Sequence, residues 1–287
     1  MKFFMSTVVL VFLLAVGNDI AAQDVNQPPP VIPLFKCGPG FTTYSVKSLE
    51  GVEGDGVRCV IIDNLKRFEG KYLSGVYWYG EGTWNGKTYR HIGCTYTSQW
   101  FQSVMTDISG NGEDYNNEVS SLLLTSSDNL NHIRVTGGGW NEEWVREPDG
   151  EAKSYRSTLK EVTNCGDHLE KASVTQLDGS SSEDIGIRCL KRAPSSSTPD
   201  IWYGEGERND KHYRHIGFIS KGSTDKVVGT AADLCNNPEY SCGQTTKNGL
   251  TITAEMDCWQ KSKYRVTGDW NEGWNGSKDY DCKILLQ

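Results

Sequence analysis

The chain of 287 residues is short of apolar side chains, at 37%, where an ordinary globular domain carries roughly 45–50%. It is also short of positive charge, with 29 Lys and Arg against 37 Asp and Glu and a net charge of −8. That balance disfavours a nucleic-acid partner or an anionic membrane surface, both of which select for clustered Lys and Arg. Beyond the first 22 residues no apolar run is long enough to span a bilayer, so no membrane is expected. There is no C-x-x-C pair, no G-x-S-x-G elbow, no phosphate-binding loop, and no haem or dinucleotide motif, and no cofactor is expected. With 31 Gly and 10% aromatics, the chain is nevertheless unlike a disordered one.

What is present begins with residues 1–22. Lys2, an apolar stretch from Val8 to Val16 and Ala21-Ala22 have the form of a secretory signal peptide. Residues 23–34 form a Pro-rich leader. The chain is then organised by an internal duplication. The sixteen residues Trp78 to Gly93 return at Trp202 to Gly217 with twelve identities, and Arg134-Val135-Thr136-Gly137 with Trp140-Asn141-Glu142 returns at Arg265-Val266-Thr267-Gly268 with Trp270-Asn271-Glu272. This sets one repeat at 35–163 and a second at 164–287.

Asn85-Gly86 suits a two-residue turn in which both residues need positive φ, and it lies between runs of Trp, Tyr and Thr, so the repeat is expected to be a β-hairpin. That turn sets Glu81 opposite Arg90 and, through Asn209-Asp210, Glu205 opposite Arg214. On the other face Trp78, Trp84, Tyr89 and His91 surround Gly80, Gly82 and Gly93. Strands are expected at 44–46, 57–62, 75–79 and 88–96, while 119–125 fits a buried strand or a short helix. The fold class is all-β: two tandem repeats, each a small antiparallel sandwich or barrel, standing separately or packed as one pseudo-two-fold body.

The nine cysteines of a secreted chain read as disulfides. Cys37 and Cys59 enclose a stretch ending Gly-Val-Arg-Cys, and Cys165 and Cys189 one ending Gly-Ile-Arg-Cys, which pairs each set as equivalent bridges. Cys235, Cys242, Cys258 and Cys282 belong to the second repeat and can pair in three ways. Cys94 is left over, as a buried thiol or a disulfide link between two chains. Asn275-Gly276-Ser277 is a glycosylation sequon, expected in a loop.

Candidate ligand-binding residues are Trp78, Tyr89, His91, Trp140, Asn141 and Glu142, and in the second repeat Trp202, Tyr213, His215, Trp270, Asn271 and Glu272. Flat aromatic faces stack on sugar rings or small aromatic molecules, while Asn, Glu and His supply hydrogen bonds. His91 and His215 are the candidate catalytic groups. Their competing reading is structural, a ring filling the gap over Gly80 or Gly204 and bonded to backbone. Glu81 and Glu205, each facing an arginine, read as register pins rather than acids.

Asp107 to Glu118 resembles an EF-hand loop, with Asp107, Ser109 and Asn111 at positions one, three and five, glycine at six and Glu118 at twelve. It departs from that pattern in carrying Asp114 at the apolar position, in lacking flanking helices and in having no counterpart in the second repeat. The overall format, a leader and two cysteine-containing repeats, is similar to that of some secreted lectins, of secreted defence and matrix proteins, and of small secreted luciferases of marine animals. Three functions are thus expected as alternatives: a lectin-like binding protein for a glycan or small aromatic ligand, a cofactor-free oxygenase of luciferase type, or a matrix component crosslinked through Cys94.

Overall fold

A computed structural model describes residues 34–48, 54–95, 103–108, 115–153, 155–156, 161–176, 185–191, 200–208, 211–220, 227–234, 247–255, 263–267 and 272–276. Within them every regular element is a strand, including Glu118–Thr125, where strand and helix were both open. In the first repeat these are β1 (Thr42–Ser48), β2 (Gly54–Phe68), β3 (Tyr72–Trp84), β4 (Lys87–Thr95), β5 (Ser103–Asp107), β6 (Glu118–Thr125), β7 (His132–Gly137) and β8 (Trp140–Arg146). In the second they are β9 (Glu170–Gln176), β10 (Ile185–Lys191), β11 (Asp200–Arg208), β12 (Lys211–Ser220), β13 (Val227–Asp233), β14 (Lys247–Glu255), β15 (Lys263–Thr267) and β16 (Glu272–Gly276).

Each set pairs antiparallel in chain order and closes, β8 onto β1 and β16 onto β9, giving two barrels. Closure satisfies the edge strands that an open sheet would leave exposed. The repeated hairpin is β3–β4 and β11–β12. Asn85 and Gly86 both take positive φ, 49° and 73°, and the register puts Trp84 against Lys87, Gly82 against Tyr89, Glu81 against Arg90 and Gly80 against His91. Glu205 faces Arg214 in the same way.

Alternation along a strand sends odd and even residues to different cores. In barrel 1 the interior holds Tyr44, Val60, Val76, Trp78, Met105, Leu122, Leu124, Ile133, Val135 and Trp144. Barrel 2 is filled around Leu190, Trp202, Tyr264, Val266 and Trp274. The opposite face of β2–β4, with Val57, Cys59, Tyr79, Ile92 and Cys94, shares one cluster with Ile187, Cys189, Tyr203, Ile216 and Phe218 of β10–β12. The barrels therefore meet along their duplicated hairpins, which are buried on both faces.

Contacts across this seam are reciprocal, as in an isologous interface. Tyr79 stacks on Tyr203 with ring centroids 5.9 Å apart. Arg90 Nη1 lies 3.7 Å from Glu205 Oε2, and Arg214 Nη1 lies 3.9 Å from Glu81 Oε2. The carboxylates of Glu81 and Glu205 each accept the hydroxyl of the tyrosine two residues earlier on the same strand, Tyr79 and Tyr203. One pair breaks the symmetry: Tyr77 stacks on Phe218 at 3.8 Å, whereas the equivalent positions are Ile201 and the small, fully buried Cys94.

Both expected disulfides form, Cys37–Cys59 and Cys165–Cys189. Cys94 is a free, buried thiol. Cys235, Cys242, Cys258 and Cys282 lie outside the described residues. Among the described residues no helix is long and apolar enough to cross a membrane.

Candidate functional site

The interior of barrel 1 is built on glycine gaps. Each large ring on one strand lies over a glycine on the next, where a Cβ would collide: Trp78 over Gly93 at 2.1 Å, His91 over Gly80 at 2.3 Å and Tyr89 over Gly82 at 2.4 Å. Barrel 2 repeats this with Trp202 over Gly217 and His215 over Gly204, both at 2.1 Å. Glycine inside a strand normally weakens it, and here the lost side chain is replaced by a ring from the neighbouring strand.

In this frame sits an ion pair absent from the list of expected site residues except for its acid. Arg58 Nη2 donates to both carboxylate oxygens of Glu142 at 2.8 Å and to the Tyr89 hydroxyl at 3.0 Å. Trp144 Nε1 donates to Glu142 Oε2 at 2.8 Å. Arg188, Glu272, Tyr213 and Trp274 make the same set in barrel 2. Burial alone would depress the Arg58 guanidinium, and the Glu142 carboxylate and Tyr89 outweigh it, leaving the group above its ordinary value. A paired arginine inside a barrel is a structural device of high stakes, since either partner alone would be an uncompensated buried charge. Its signal in the sequence is the repeated tetrapeptide, Gly56-Val57-Arg58-Cys59 and Gly186-Ile187-Arg188-Cys189, in which the arginine recurs beside the disulfide cysteine. Alternation puts Arg58 on the inner face with Gly56, opposite Cys59.

His91 and His215 are fully buried or nearly so. Desolvation, reinforced by the nearby arginine, Arg58 or Arg188, holds each imidazole well below its usual range, so both are neutral. The ring fills the gap over glycine, as its structural reading expects. For His91 the backbone bond does not form: neither ring nitrogen has a hydrogen-bond partner. Asp107 stands in register with His91 across β4–β5, and Asp233 with His215 across β12–β13, a repeated pairing that the sequence reading missed by assigning Asp107 to a cation loop.

The loop with the EF-hand-like spacing has no flanking helices, as its departures from that pattern indicate: Asp107 ends a strand and Glu118 begins one, and the two strands pair as a hairpin. Asp107 Oδ2 accepts the Asn117 N–H at 2.8 Å, and Glu118 takes the ammonium of Lys191, with His168 Nδ1 3.9 Å away. Ser109 and Asn111 lie outside the described residues. Among the described residues no three His, Cys, Asp or Glu side chains are grouped to hold a metal ion.

Glu81 and Glu205 face Arg90 and Arg214 in the expected register, and the tertiary structure buries both acids at the seam. Asn275 sits on β16 rather than in a loop, half-buried and paired with Ser173 and Lys263. Of the residues expected to bind a ligand, Trp78, Tyr89, His91, Trp202 and His215 are interior, and Trp270 and Asn271 lie outside the described residues. Trp140 and Asn141 keep partial exposure.

Trp140 marks the hairpin end of barrel 1. Its indole is edge-on to Tyr89, at 6.3 Å, and to His91, at 6.1 Å. Trp84 lies 6.1 Å from Trp140 and 5.6 Å from Tyr115, and Lys87 Nζ stands 5.3 Å over the Tyr115 ring. Trp84, Tyr115 and Trp140, all half-exposed, form an aromatic platform at the mouth of the barrel. Position 84 is aromatic in the first repeat alone; its counterpart is Arg208. No family model, no curated protein and no solved structure matches this chain.

Proposed function

We propose that the protein is an extracellular binding protein of lectin-like type, holding a ring-shaped ligand on the Trp84–Tyr115–Trp140 platform of barrel 1. The observation that carries this reading is that three rings from separate elements converge at one barrel end and keep exposed area, while the duplicated rings Trp78, Tyr79, Trp202 and Tyr203 are buried in packing. A sugar ring stacks its C–H face on indole or phenol. The two disulfides and the signal-like first 22 residues support secretion.

The test is a glycan array probed with the intact protein, Trp84→Ala and Trp140→Ala. Binding by the intact protein that falls at least tenfold in both variants supports the reading. Binding indifferent to both changes would overturn it.

A second reading as a structural component has its own observation: Tyr79, Glu81, Arg90 and Ile92, identical in both copies, are all consumed with their counterparts in joining the barrels. On that reading the duplication selects for a rigid two-barrel unit. The crosslink through Cys94 has no support from its position, since the thiol is enclosed by the seam.

A further inference from the structure

Beneath the platform lies a set of polar atoms that packing does not explain. His91 is wholly buried, and both its ring nitrogens lack partners, as does Nε1 of Trp140 directly above it. Buried donors and acceptors in folded proteins are nearly always satisfied, by protein, water or ligand, and exceptions call for an occupant. Trp140 is also the first residue after Gly137-Gly138-Gly139, three consecutive residues with φ of 114°, 58° and 84°. Gly137 and Gly138 are packed, since a Cβ there would lie 2.4 Å from Ser121 O and from Val119 Cγ1, whereas one at Gly139 would meet nothing within 4 Å; the backbone of the turn is held, and the freedom left beside it is that of the Trp140 side chain.

We propose that the Trp140 indole is a lid that swings about its own side-chain torsions, and that a neutral, hydroxyl-bearing ring pushes one hydroxyl beneath it to reach His91. This rests on the platform reading and names its ligand class. The chemistry is complementary: a neutral imidazole carries a donor on one ring nitrogen and an acceptor on the other, and a hydroxyl, being both donor and acceptor, can bond whichever of the two it reaches. A charged group would enter without a counter-ion, because Arg58 already holds Glu142 with two bonds and Asp107 already accepts the Asn117 N–H. His91 is thereby a specificity-determining residue, and Trp140 both stacks on the ring and controls entry.

Two measurements test this. The first is the rate at which diethyl pyrocarbonate, which acylates neutral imidazole, modifies each histidine in the full-length protein, read by peptide mass spectrometry. His91 should react slowly in the intact protein, and Trp140→Ala should raise the ratio of His91 to His215 modification at least tenfold, while Trp140→Phe leaves it near the original value. Because His215 lies in barrel 2, general unfolding would raise both and leave the ratio unchanged, and an unchanged ratio overturns the lid. The second is the glycan array repeated with His91→Phe. Loss of at least tenfold for neutral sugars supports the assignment; retention of all binding overturns it while leaving the platform reading intact, since that depends on Trp84 and Trp140.

Discussion

The inward Arg58–Glu142 pair and the outward Lys47–Glu143 pair differ by one residue on β8, which makes Glu142→Gln against Glu143→Gln a direct test of which face of that strand is enclosed. Arg58 Nη2 meets both Glu142 oxygens at 2.8 Å with the arginine side chain 0% exposed. At an effective dielectric near 20, opposite charges at that separation attract by about 6 kcal/mol, against a desolvation cost of several kcal/mol for each ion. The net worth of the pair is therefore small, but removing one member strands the other. Glu142→Gln should destabilise the protein by roughly 3–5 kcal/mol, a fall in Tm of roughly 6–20 °C for a chain of this size. Lys47 Nζ lies 3.7 Å from Glu143 Oε2 and is 68% exposed, so Glu143→Gln should cost at most about 0.5 kcal/mol. Replacing both inner partners, as Arg58→Met with Glu142→Leu, should recover most of the loss, because no buried charge then remains unpaired. The assay is urea and thermal denaturation followed by tryptophan fluorescence at pH 7. Equal small effects at 142 and 143, or a double replacement no better than Glu142→Gln, would refute an enclosed ion pair.

Acid should act through the two interior histidines. Their folded pKa values are depressed, so the unfolded chain binds more protons below its ordinary value near 6.5, and their stabilising contribution is complete above that pH and lost as pH falls beneath it. The unfolding free energy should drop by up to about 2.7 kcal/mol per pH unit below pH 6 for two such groups, and His91→Gln should halve the slope in urea melts between pH 6 and 5. Gly93→Ala would place a Cβ 2.1 Å from the Trp78 ring, and overpacking there should cost roughly 1–3 kcal/mol or more in the same melts. Burial, helped by the Asp200 carboxylate, pushes the Cys94 thiol up to about 12. The Cys94 peptide should stay unalkylated after iodoacetamide treatment of native protein at pH 8, and labelling as fast as in urea would contradict its enclosure.

Local chemistry made much of this protein legible from its residues. Asn85-Gly86 supplies two positive-φ positions at no steric cost, which fixes the turn and hence the partner of every residue from 78 to 93. Duplication then paired Cys37 with Cys59 and Cys165 with Cys189, because equivalent halves close equivalent loops. The glycine gaps followed from the same register, since a ring on one strand needs room on its neighbour. None of this depends on how the sheet curls.

The use of each face was decided by tertiary structure. A strand that is solvated on one side reveals its orientation by alternation, but β3 and β4 are buried on both, one face inside the barrel and the other at the seam. Glu81 and Arg90 read as an isolated cross-strand pair because a two-stranded hairpin shows only each other's charges; the second barrel supplies Arg214 and Glu205 from more than a hundred residues away. Arg58 meets Glu142 only when β8 closes against β1, which brings the last strand of the barrel within one strand of β2. The sequence determined pairings within reach of one turn, while closure and docking, which depend on long-range packing, determined which charges are enclosed and which rings are left at the mouth.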